Sequence, residues 1–114
     1  EMLRAIRLVV DTGLHAKRWS RQQVVDYFRA HSATDEVDLQ AETDRYIVWP
    51  GQALAYKVGQ LQVLALRERA TRELGASFDL RAFHDVVLGG GSLPLDVLDA
   101  RVGAWIAGYR NSQR

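Results

Sequence analysis

The chain has 114 residues, is 47% hydrophobic and 25% charged, carries a formal charge of +1 and contains no cysteine. These values describe one ordinary domain with a modest core, and they exclude wholesale disorder, disulfides and thiolate metal sites. No apolar run approaches the roughly 20 residues that span a bilayer, and the near-zero charge gives no net electrostatic reason to bind nucleic acid. Residues 1–31 are net basic and residues 32–48 net acidic, an arrangement that neutralises itself within a fold. The absence of cysteine leaves the compartment open. Because the chain starts at Glu1 directly in a periodic pattern, with no basic-then-apolar leader, we read it as a piece of a longer protein.

In residues 2–15, Leu3, Ile6, Val10 and Leu14 recur at helical spacing, with Arg4, Arg7, Asp11 and His15 on a neighbouring face. This is an amphipathic helix. Arg7, Asp11 and His15 are four apart, so guanidinium, carboxylate and imidazole could touch in sequence and orient the imidazole. The alternative is a surface ion-pair ladder beside an ordinary histidine. Trp19-Ser20-Arg21-Gln22-Gln23-Val24 then has the form of a capping box flanked by a hydrophobic staple. A second helix should start at about Arg21, bury Val24, Val25 and Phe28, and end near His31. Thr34 is placed to cap a third helix that runs to about Val48 with sparse apolar positions at Val37, Ala41, Tyr46 and Ile47, which makes it the most exposed.

The spacing predicts the longest and most buried helix from Pro50 to Leu74, since proline at a first helical position loses no hydrogen bond. Leu54, Val58, Leu61 and Ala65 form its apolar stripe, and Gly51, Ala55 and Gly59 a row of small residues. Gln52, Tyr56 and Gln60 form a third row, and buried polar groups must be bonded, so this row should face a polar network, water or a ligand. Asp79 caps the next helix, with Phe78 and Phe83 as a staple, and Gly89-Gly90-Gly91 ends it. No strand precedes those glycines and no Lys-Ser/Thr pair follows, so they do not form a phosphate loop. Pro94 opens the last helix, which carries Leu95, Leu98, Val102 and Trp105; residues 111–114 should fray. The expectation is all-α, about six helices around the long central one, forming a single helical segment over residues 1–114.

His15, His31 and His84 fall on different helices, no His-Glu-x-x-His spacing exists, and there is no serine elbow, so no complete active site is encoded. The stretches Arg4-Ala-Ile-Arg-Leu-Val-Val-Asp-Thr-Gly-Leu-His15, Lys17-Arg-Trp-Ser20, Asp44-Arg-Tyr-Ile47, Trp49-Pro-Gly-Gln-Ala-Leu-Ala-Tyr-Lys57 and Phe78-Asp-Leu-Arg-Ala-Phe-His84 nevertheless carry a resemblance. Together they resemble the C-terminal part of a large bacterial family whose domain is of unknown function and which is similar to helical zinc metallopeptidases. The resemblance implies that a zinc-binding His-Glu-x-x-Pro-Gly-His segment and a further glutamate ligand lie upstream, so that this chain holds no metal itself and zinc belongs to the parent. It implies that His15 and Tyr56 are hydrogen-bond donors facing a peptide carbonyl or its tetrahedral intermediate, with Gln52, Arg7 and Asp11 behind them. The partners it implies are the upstream part of the same polypeptide and a peptide-like substrate. The competing reading is a self-contained helical protein-interaction module with no catalytic role.

Overall fold

The computed structural model describes residues 1–112. Among them are six α-helices and no strand: α1 (Met2–His15), α2 (Arg21–His31), α3 (Glu36–Val48), α4 (Ala55–Leu74), α5 (Leu80–Leu88) and α6 (Leu95–Ser112). Short 3₁₀ turns lie at Gln52–Leu54 and Gly75–Ser77. The fold is all-α. The chain divides into two compact units, Glu1–Val58 and the part from Gly59 onward.

The first unit packs α1, α2 and α3 around Ile6, Val10, Val24, Val25, Phe28, Leu39, Tyr46 and Ala53. Helix α2 begins as its sequence dictates. Ser20 accepts from the Gln23 N–H at 3.2 Å while the Gln23 side chain accepts from the Ser20 N–H at 2.8 Å, closing the capping box. Trp19 packs beside Tyr27 and lies across Gly13, where a Cβ would come within 2.4 Å of the indole. Glycine at position 13 therefore lets the chain after α1 fold back on the helix.

Helix α3 differs from the sequence expectation at its start and on its buried face. The cap is Asp35, whose carboxylate accepts from the Val37 N–H at 3.3 Å, and Thr34 instead accepts from the Ser32 hydroxyl. The buried row is Leu39, Thr43 and Tyr46. Thr43 fits there because its hydroxyl donates to the Leu39 carbonyl at 2.8 Å, satisfying it within the helix.

Helix α4 begins five residues later than Pro50, at Ala55. Gly51 takes φ +82°, a left-handed conformation that breaks helical geometry and suits glycine. Its N–H points to the Asp11 carboxylate rather than along a helix. Gly51 and Gln52 therefore stand outside α4, and neither the small row nor the polar row begins on that helix. Nor is α4 the most buried helix: Leu61 and Leu64 are 49% and 50% exposed, and its buried residues are Leu66, Ala70 and Leu74. Periodicity finds apolar stripes but not which of them meets a neighbour. In the second unit that neighbour is supplied by α5 and α6.

There Leu66, Ala70 and Leu74 pack with Phe83, Leu98, Val102 and Ile106. Phe78 lies 6.1 Å from Phe83 by ring centres, the expected staple, and Asp79 accepts from the Arg81 and Ala82 N–H groups as the cap of α5. The Pro94 carbonyl accepts the Leu98 N–H, the first bond of α6. Asn111 and Ser112 are helical rather than frayed, while the last two residues of the expected frayed end, Gln113 and Arg114, lie outside the described residues. No helix among the described residues is long and apolar enough to cross a membrane.

Candidate functional site

The polar face of α1 carries Arg4, Arg7, Asp11 and His15, and the structure sets the last three against the segment between Tyr46 and Tyr56. Arg7 is only 8% exposed. Its Nη2 donates to Gln52 Oε1 at 3.1 Å, and its Cζ lies 5.7 Å from the centre of the Tyr46 ring and 5.3 Å from that of Tyr56. One turn on, the buried Asp11 carboxylate accepts the Gly51 N–H at 3.1 and 3.3 Å. One further turn on, His15 Nε2 lies 2.8 Å from the Tyr46 carbonyl oxygen. A carbonyl only accepts, so Nε2 carries the proton and Nδ1 is left unbonded. Arg4 lies over the Tyr56 ring at 5.0 Å, and Glu1 pairs with Lys57 beside it.

The sequence placed Arg7, Asp11 and His15 as one contiguous ladder. They share a face, but no ion pair or hydrogen bond joins them to one another; each takes a partner on the 46–56 segment instead. A buried carboxylate without a hydrogen-bond donor is costly, and Asp11, 2% exposed, finds its donor in the Gly51 N–H. Tyr56 and Gln52, placed beside α1 by the expectation, do meet it through Arg7.

Tyr46 is the residue that sequence reasoning missed. It is 1% exposed, its ring stacks 6.3 Å from Phe28, and its hydroxyl donates to Glu42 Oε2 at 2.6 Å. Its place in the Asp-Arg-Tyr-Ile block was the available signal. Burial, the bond to Glu42 and that carboxylate's charge hold the phenol well above the ordinary tyrosine range, so it stays protonated. Burial pushes the Glu42 carboxyl up. The Tyr46 hydroxyl, the Arg45 guanidinium 2.7 Å away and the charge of Arg7 outweigh it and hold the carboxyl below the usual glutamate range.

The sign of the linkage follows. A carboxyl lowered by folding contributes stability that is present above its unfolded value, about 4.3, and is lost as pH falls through the folded one. We expect Glu42→Gln to lower stability at pH 7 and to flatten the loss between neutral pH and about pH 3. Urea midpoints at the two pH values measure it, and an unchanged acid-side slope would remove Glu42 from the account.

Among the described residues no three histidine, aspartate or glutamate side chains are grouped to hold a metal ion. Asp11, His15 Nε2 and Glu42 are committed to Gly51, Tyr46 and the Tyr46–Arg45 pair. His31 stacks on Tyr27 with its Nδ1 on the Tyr27 carbonyl, and His84 is exposed. A depression of about 320 Å³ beside Leu8, Val9, Gly13 and Trp19 offers one amine, Lys17, and no acid.

Comparison with known proteins places this geometry in context. Residues 1–102 match a family model described as "Bacterial protein of unknown function (DUF885)". The crystal structure of "the putative lipoprotein from Colwellia psychrerythraea" matches over 93% of this chain at 53% identity with a TM-score of 0.91. The match spans 18% of that protein, so this chain corresponds to less than a fifth of its length. No curated protein matches. With nearly the whole sequence under one family model, the chain belongs to the DUF885 family of bacterial proteins of unknown function.

Proposed function

We propose that this chain forms the substrate-cleft portion, toward the C-terminus, of a longer zinc-dependent peptidase-like hydrolase whose metal ligands and general base lie outside it. The observation that carries the reading is Tyr56. Its side chain is 55% exposed and its hydroxyl bonds no described residue, yet its ring packs against two guanidiniums, with Arg4 Cζ 5.0 Å and Arg7 Cζ 5.3 Å from its centre. A positioned donor with a free hydroxyl is what stabilisation of a developing oxyanion requires.

His15 is the second group on the cleft wall. Its Nε2–H is taken by the Tyr46 carbonyl, so Nδ1, an acceptor in the neutral ring, is the ring nitrogen left for a substrate. Arg7, Gln52 and Asp11 hold the wall together through the Arg7–Gln52 and Asp11–Gly51 bonds. Two specific blocks of the family resemblance, Val-Asp-Thr-Gly-Leu-His and Trp-Pro-Gly-Gln-Ala-x-x-Tyr, are the two that meet here, which supports the reading.

A second reading, a helical interaction module without chemistry, draws on the exposed Leu61 and Leu64 of α4. The longer polypeptide decides between them. Purified with the segment that precedes Glu1, it is expected to contain stoichiometric zinc by elemental analysis and to hydrolyse peptides, with loss on chelation. Calorimetry on the 114-residue chain alone is expected to show no submicromolar zinc binding. A longer polypeptide that neither holds zinc nor cleaves any peptide in a broad panel would leave the module reading in place.

A further inference from the structure

We propose that Arg4 and Arg7 bind the C-terminal carboxylate of a peptide substrate, with the Tyr56 ring packed against both; this rests on the cleft reading of the same site. The starting point is an anomaly of charge. Arg7 is almost wholly buried, its Nε bonds nothing, and its one hydrogen bond goes to the neutral oxygen of Gln52. No carboxylate lies within ion-pair distance of it. Among the described residues the other two arginines that are not fully exposed, Arg45 and Arg69, each pair with an acid: Arg45 with Glu42, and Arg69 with Glu73 and Asp99. Glu42 feels the charge of Arg7 but is hydrogen-bonded to Arg45 and Tyr46; a buried guanidinium with no carboxylate bonded to it is costly, and an arginine of the same sign one turn away adds repulsion.

The neighbouring acids are not available to relieve that charge. Asp11 accepts from the Gly51 N–H, Glu42 accepts from Tyr46 and Arg45, and Glu1 pairs with Lys57. Gln52 and the faces of Tyr46 and Tyr56 instead fix the plane of the Arg7 fork without neutralising it. That is the preparation a planar, bidentate anion calls for. A guanidinium fork matches the two oxygens of a carboxylate, and the second cation at Arg4 and the free Tyr56 hydroxyl can serve the same group. A carboxylate at the end of a peptide chain also brings its scissile bond next to Tyr56, the donor assigned to the reacting oxygen.

The test titrates the 114-residue chain with acetyl-Ala-Ala as the free acid, with its C-terminal amide, and with inorganic phosphate, following the arginine Nε–H and tyrosine signals by NMR. The acid is expected to shift the Arg7 and Tyr56 signals saturably, and the amide to bind about tenfold more weakly or not at all. Arg7→Gln and Arg4→Gln should each weaken the acid about tenfold, while Arg21→Gln, at a surface arginine paired with Asp44, should change nothing. Arg4 is exposed, so its variant keeps the test valid if Arg7→Gln fails to fold. Equal shifts from acid and amide, or a phosphate response as strong as the acid's, would overturn the carboxylate assignment. Failure here is separable from failure of the cleft reading. A longer polypeptide that cleaves acid and amide peptides equally well sinks this inference alone, and carboxylate binding without any hydrolysis sinks only the reading.

Discussion

Tyr46→Ala is expected to remove about 3–5 kcal/mol of stability, the range for truncating a buried aromatic. Five interactions end on this residue: the ring stack with Phe28, the contacts with the Arg7 and Arg45 guanidiniums, the hydroxyl bond to Glu42 and the carbonyl bond from His15. The carbonyl survives truncation, but the ring that places it does not. Tyr46→Phe separates the contributions, since it keeps the stack and gives up only a hydrogen bond to a charged group, worth about 1.5–3 kcal/mol. Domains of this size are stable by about 5–15 kcal/mol, so the alanine variant should leave the first unit marginal. Urea unfolding followed through amide signals of α1 to α3 measures both. An alanine variant that loses under 1 kcal/mol would mean that the Arg7–Tyr46–Glu42 cluster does not hold the unit together.

Under the proposed hydrolase reading, Tyr56→Phe in the longer polypeptide is expected to lower turnover by about 10²–10³ while melting temperature and metal content stay unchanged. The hydroxyl bonds no described residue, so removing it strands no buried partner and the ring keeps its place against Arg4 and Arg7. A structural role for the hydroxyl predicts the reverse, a lower melting temperature with turnover per folded molecule intact. His15→Ala should also lower turnover, but with a loss of stability, because the Tyr46 carbonyl loses its donor. Full turnover in Tyr56→Phe with zinc in place would make Tyr56 a surface tyrosine and end the catalytic assignment.

The local grammar of this chain was legible where a single side chain answers its own backbone, with one exception at α3, whose cap is Asp35 and not Thr34. The Ser20–Gln23 box, the Asp79 cap and the Phe78–Phe83 staple are of that kind. The family resemblance set the α1 polar face and the Gln52–Tyr56 stretch side by side, and Arg7 does contact both Gln52 and Tyr56. The other failures of the sequence reading are non-local. Pro50 is a good first helical residue, yet the helix waits until Ala55, because Gly51 is recruited by a carboxylate on another helix. Tyr46 read as a sparse apolar position of an exposed helix, and its burial depends on Phe28 and Arg7, which no periodicity within α3 reveals. The stripe Val58, Leu61 and Ala65 was real as a pattern and exposed in fact, since a helix has several rows and its neighbours choose among them.

The bond between Gly51 and Asp11 turns one amide into a reporter. Its acceptor lies 40 positions away along the chain rather than in its own turn. Exchange of most helical amides for solvent deuterium follows the opening of their own helix, and therefore reports on local fraying as well as on anything larger. The Gly51 proton is protected only while α1 is seated against the turn that follows α3. Its exchange rate is thus a readout of that docking, taken at the wall of the site and independent of any substrate or metal.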